Sequence, residues 1–135
     1  MTQFSKRYSD KLLHYFFDNQ HAGCLNTIAA AGQIYQTRVG YPENGDVLVL
    51  SVACVDDKII EARFLACGGV TLIAGAEFIC RCLEGQSMTQ LQTITQDFLL
   101  QSLKLAPIYV HITSLLVLAV KQIYESFKSR EFHAP

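Results

Sequence analysis

The stretch Val47-Leu48-Val49-Leu50-Ser51-Val52-Ala53-Cys54-Val55-Asp56-Asp57-Lys58-Ile59-Ile60-Glu61-Ala62-Arg63-Phe64-Leu65-Ala66-Cys67-Gly68-Gly69 decides the fold of this chain. Val47 to Val55 is apolar and rich in β-branched residues, which favours a strand. Asp56-Asp57-Lys58 turns the chain, and Ile59 to Leu65 returns. Upstream, Gln33 to Val39 carries Ile34, Tyr35, Thr37 and Val39 at strand-forming positions after Gly32. Between the two, Glu43-Asn44-Gly45-Asp46 holds an Asn-Gly pair, the strongest short turn signal in the sequence. Three antiparallel strands in a meander follow.

Helices flank this sheet. Ser9 is a helix cap, followed by Leu12, Leu13, Tyr15, Phe16 and Phe17 as an apolar surface. Cys67-Gly68-Gly69 ends the strand pattern, and Val70 to Leu83 reads as a buried helix closing at Gly85. A short helix is expected from Met88 to Thr93; the polar run Glu84 to Gln101 is otherwise the least periodic part. A long helix from about Thr113 to Lys128 closes the chain, with Leu116, Val120, Ile123 and Phe127 on one face. The expected fold class is α+β, a three-stranded antiparallel sheet with helices packed on one face, and residues 1–135 form one domain.

Composition narrows the function. The 135 residues carry 11 Lys and Arg against 12 Asp and Glu, with no basic cluster, which argues against a nucleic-acid partner. Met1 to Asp10 is polar, so no signal peptide is expected there. The apolar run Pro107 to Val120, broken by His111, Thr113 and Ser114, is shorter than a membrane-spanning helix needs. A cytoplasmic protein with no membrane partner is the expectation, and its five cysteines read as free thiols.

Three segments carry the chemistry: Tyr41-Pro42-Glu43-Asn44-Gly45-Asp46, Ala66-Cys67-Gly68-Gly69 and His111-Ile112-Thr113-Ser114. Their order and spacing resemble the cluster-ligand segments of the IscU/NifU amino-terminal family, scaffolds on which iron–sulfur clusters are assembled. In that family they read Pro-x-Cys-Gly-Asp, (Gly/Ala)-Cys-Gly and His-Cys-Ser. Here Cys67 keeps the middle cysteine, while Asn44 and Ile112 occupy the first and third positions. The resemblance implies an iron–sulfur scaffold-like protein, not an enzyme, with altered cluster binding. It implies a metal site of Asp46, Cys67 and His111, taking iron, an iron–sulfur cluster or zinc.

The resemblance also implies a cysteine desulfurase as partner. Leu105-Ala106-Pro107-Ile108-Tyr109 stands where the family reads Leu-Pro-Pro-Val-Lys, the segment recognised by an Hsp70-type chaperone. Two other readings use the same residues. In one, Cys67 alone accepts a persulfide, as in sulfur acceptors of the SufE type. In the other, a non-catalytic pseudo-scaffold binds and regulates a desulfurase.

Each residue also has a plain structural reading. Cys67 can be a packed thiol, Asp46 and Asn44 can serve the turn, and His111 can be a satisfied core histidine. Cys80 and Cys82, two apart on a helix, point to different faces and make no chelating pair. Cys24 and Cys54 have no partner at metal spacing. Glu77, in an apolar helix, faces solvent or pairs with Arg81 four residues on.

Overall fold

The computed structural model describes residues 8–26 and 32–132. Strands β1 (Gln33–Tyr41), β2 (Asp46–Val55) and β3 (Lys58–Cys67) form one antiparallel sheet in that order. The α+β reading of the sequence is the observed architecture. The first connection is a 3-10 turn over Pro42–Asn44, closed by Gly45 at φ +80°. The second turns on Asp56 and Asp57, both at positive φ. Aspartate tolerates that left-handed region, and two such residues give a hairpin the twist its strands need.

Side-chain alternation divides the sheet into two faces. Leu48, Leu50 and Val52 of β2 are buried with Tyr35 and Val39 of β1 and with Ala62 and Phe64 of β3. Helices α2 (Val70–Leu83) and α4 (Val110–Phe132) pack there. A Cβ at Gly75 would stand 2.5 Å from Leu116 Cδ1, so glycine lets α2 and α4 approach closely. The predicted stripe on the closing helix is buried at Leu116, Val120, Ile123 and Phe127. By length and composition the stretch Pro107–Ser129 would suffice to cross a membrane, more than its sequence run suggested. Its buried stripe packs against the sheet, as the core helix of a globular domain does.

Helix α1 (Asp10–Phe17) is capped by Ser9, whose Oγ accepts the Leu12 N–H and donates to the Leu103 carbonyl. The polar run holds two elements. One is the expected Met88–Thr93 segment, in 3-10 form; the other is α3 (Gln96–Ser102), a helix the sequence pattern did not announce. Seven residues offer no measurable period; α3 stands on its Thr95 cap and the buried Leu99.

Of the two readings of Glu77, the pairing with Arg81 is the observed one, and the side chain does not face solvent. Its side chain is fully buried and takes bonds from Arg81 Nε at 2.7 Å and from the His21 backbone N–H at 2.8 Å, while His21 Nδ1 lies 2.7 Å from its second oxygen. His21 Nε2 reaches Glu84 Oε1 at 2.8 Å, and Glu84 Oε2 accepts from Ala62 N–H and Arg63. Arg81 continues to Asp18. This chain of ion pairs fastens the segment after α1 to α2 and β3.

Burial raises the Glu84 pKa, but the bonds from Ala62, His21 and Arg63 outweigh it, so the carboxyl sits below its ordinary 4.5. A depressed carboxyl contributes stability above its unfolded pKa and loses it as pH falls through the folded value. Urea midpoints of wild type and Glu84→Gln should therefore differ most near neutral pH and converge as pH falls below about 4.5. A gap that stays constant down to about pH 3 would contradict this network.

Candidate functional site

A cavity of about 500 Å³ opens between the turn end of β1–β2 and the first half of α4. Asn44 reaches it from the turn and Asp46 from the sheet, and His111, Ile112, Leu115, Leu118 and Gln122 from the helix. Asp46 pairs with Tyr41 and shares the helix-side face with Leu48. The α4 contributors His111, Leu115, Leu118 and Gln122 fall at i, i+4, i+7 and i+11, one helical stripe. That spacing was present in the sequence and could have identified Leu115, Leu118 and Gln122, which motif matching passed over.

The sequence-predicted residues divide into two places. Asp46, His111, Asn44 and Ile112 all line the cavity. Cys67 is exposed and is not among its lining residues. The register explains this. Cys67 pairs with Val47, and Val47 pairs with Gly40, so this row lies on the face opposite Asp46 and Leu48. The next residue is the one turned toward the carboxylate: a Cβ at Gly68 would stand 2.8 Å from Asp46 Oδ1 and 2.7 Å from Leu72 Cδ2. Glycine at 68 therefore lets the chain pass between them. Among the described residues no three of the His, Cys, Asp and Glu side chains stand close enough to hold one metal ion.

Asn44 and Ile112 each have a local structural role. Asn44 is exposed in the 3-10 turn and precedes the left-handed Gly45. Ile112 is only 7% exposed and belongs to the apolar core. Thr113 beside it is buried and donates to the Val110 carbonyl at 2.9 Å. A [2Fe–2S] cluster needs four donors, commonly thiolates. This cavity offers one carboxylate, one imidazole, the neutral amides of Asn44 and Gln122 and the Tyr41 phenol, beside an isoleucine with no donor and no thiolate. The residues present do not fit a firmly held cluster.

The thiols differ in access. Cys24 and Cys67 are exposed, whereas Cys54 and Cys80 are buried and Cys82 is half-buried. Burial pushes the Cys54 and Cys80 thiols up, and that of Cys82 to about 11.

Residues 7–134 match the NifU-like N terminal domain, and the chain belongs to that family. It is 27% identical over 124 residues to the iron–sulfur cluster assembly scaffold protein IscU of Escherichia coli K12, covering 91% of this chain and 95% of that protein. The protein of that name from Azotobacter vinelandii is 26% identical over 125 residues, covering 92% and 96%. The fold is shared with the amino-terminal NifU-like protein of Brucella abortus, at a TM-score of 0.67 and 13% identity, covering 98% of this chain and all of that one. It is shared equally with a proposed scaffold protein for the SUF system from Fervidobacterium islandicum AW-1, at a TM-score of 0.67 and 13% identity, covering 89% and 98%.

Access predicts reactivity. In the native protein, an aromatic disulfide reagent should react rapidly with two cysteines, the exposed Cys24 and Cys67. All five should react after unfolding. Cys67→Ser should leave one fast thiol; fast reaction of Cys54 or Cys80 would contradict the packing described.

Proposed function

We propose that this chain works in iron–sulfur cluster assembly, in the cytoplasm, as a scaffold-fold protein that has given up stable cluster retention. Membership of the NifU-like N-terminal family carries the first half of this reading. The donor set supports the second, since Asn44 and Ile112 stand where the resemblance read from the sequence would place thiolates. Cys67 is the thiol through which sulfur enters, with a cysteine desulfurase as the source. Its exposure leaves it open to a sulfur donor. Asp46 and His111 are the oxygen and nitrogen donors left in the cavity, suited to weak, transient contact with ferrous iron. A zinc centre with three protein ligands is not part of this reading, because the described residues form no such group. Recognition by an Hsp70-type chaperone would run through Leu105 to Tyr109, where Ile108 is 75% exposed.

The chain acts here as a carrier rather than an enzyme. The test is anaerobic reconstitution with ferrous iron and sulfide, followed by gel filtration and visible absorption. Wild type should retain less than about one tenth of a cluster per chain, because a cluster needs four ligands. Asn44→Cys combined with Ile112→Cys should raise retention several-fold. A wild-type monomer that keeps a stoichiometric cluster would overturn the altered-retention reading and leave an ordinary scaffold in its place.

A further inference from the structure

Both ring nitrogens of His21 face a carboxylate. Nδ1 lies 2.7 Å from Glu77 Oε2, and Nε2 lies 2.8 Å from Glu84 Oε1. A neutral imidazole has one N–H and one bare lone pair, whereas an imidazolium donates from both nitrogens. Glu77 already accepts from Arg81 Nε and from the His21 backbone N–H, and Glu84 from Arg63 and the Ala62 N–H. With both carboxylates ionised in this way, only a doubly protonated ring turns both contacts into hydrogen bonds.

The surrounding charges favour that second proton. Glu77 and Arg81 face the ring cluster from α2, with Glu84 just beyond the helix. Arg63 and Glu61 join from β3, and Asp18 from the segment after α1. Four carboxylates thus stand against two guanidinium groups, and the Glu77 side chain is fully buried. Cys80 on α2 adds no charge, because burial pushes its thiol far up. An imidazolium at His21 is the third cation of the cluster, and a buried carboxylate left short of partners is costly. The His21 side chain is 15% exposed, so solvent can take its proton.

The same residue carries the cover of the β3 edge. The His21 carbonyl accepts the Phe64 N–H at 3.0 Å, and the Gly23 N–H donates to the Phe64 carbonyl at 2.8 Å. We infer that His21 is a proton-operated latch: as imidazolium it bridges Glu77 and Glu84 and holds residues 18–23 over β3, and on losing one proton it lets that cover open. Once the proton leaves, a lone pair faces one of the two carboxylates. The repulsion is relieved as the ring and Glu84 part, which loosens the Ala62 contact and then the bridge to Phe64. The latch is therefore closed while the ring is doubly protonated and opens as pH rises. Asn26 still donates to Glu61 Oε2, so the opening is local and leaves the sheet intact. The inference is independent of the role of Cys67.

NMR on the full chain tests this. The ring nitrogens of His21 are followed from about pH 5 to 8, the range in which histidine commonly changes charge. Hydrogen-exchange protection of the Gly23, Ala62 and Phe64 amides is measured alongside, corrected for the intrinsic pH dependence of exchange, with the Val52 amide as the core reference. Protection at the three edge amides should fall about tenfold or more across the His21 midpoint, the loss of a charged hydrogen bond, while Val52 is unchanged. His21→Gln should give low edge protection that no longer varies with pH. Edge protection that stays level while the ring titrates would overturn the latch, as would a ring that keeps one protonation state throughout. A matching loss at Val52 would overturn it too, since the whole domain would then be opening. Where His21→Gln does not fold, the wild-type titration alone decides.

Discussion

The two-residue period of the sheet governs both the core and the chemistry. Pairing of β2 with β1 and β3 in one register puts Leu48, Leu50 and Val52 under the helices and fixes everything else by alternation. Asp46 falls on the helix side of that register and Cys67 on the other. A slip of one residue would exchange them and would also turn the core outward, so the burial of three large apolar side chains holds the site arrangement in place. At about 1.5–3 kcal/mol per fully buried aliphatic side chain, no preference of a single functional residue could reverse that choice.

A rigid frame surrounds this register. Glycine at position 75 lets α2 and α4 pack closely, and the linked pairs Asp18–Arg81–Glu77–His21–Glu84–Arg63 tie the segment after α1 to both α2 and β3. Such a buried carboxylate is costly unless fully bonded, and Glu77 is met by three donors from two segments. The network lies away from the cavity, where Asp46 and His111 have no ion-pair partner among the described residues. Charge is paired in that network and left open where a ligand can arrive.

Much of the fold was legible because it rests on local signals. The Asn44-Gly45 pair, the Asp56-Asp57-Lys58 turn and the stripe at Leu116, Val120, Ile123 and Phe127 each state one conformation. Helix α3 was not legible, since its seven residues owe their shape to a cap and one buried leucine. Glu77 was half legible: the spacing to Arg81 was visible, but His21 is 56 residues away, and only the tertiary fold brings it there. The candidate site divides in the same way. Order of motifs along the chain singled out Asp46, Cys67 and His111 as candidates, yet order carries no information about sheet faces, and the face is what sets Cys67 apart from Asp46.

The protein thus keeps the frame of its family, with Ile112 in the core and Asn44 in a turn. The Cys67 thiol lies exposed on one side, and a carboxylate and an imidazole lie in a cavity whose lining mixes aliphatic side chains with Arg38, Tyr41, Asn44 and Gln122. The most direct test of this separation is a titration of the reduced protein with cobalt(II) under argon. It follows thiolate-to-cobalt charge-transfer absorption and the His111 ring signals together, with Cys67→Ser as the control. The account predicts that the His111 signals respond equally in wild type and in Cys67→Ser. Saturation of both signals together at one equivalent, with loss of both in Cys67→Ser, would contradict it.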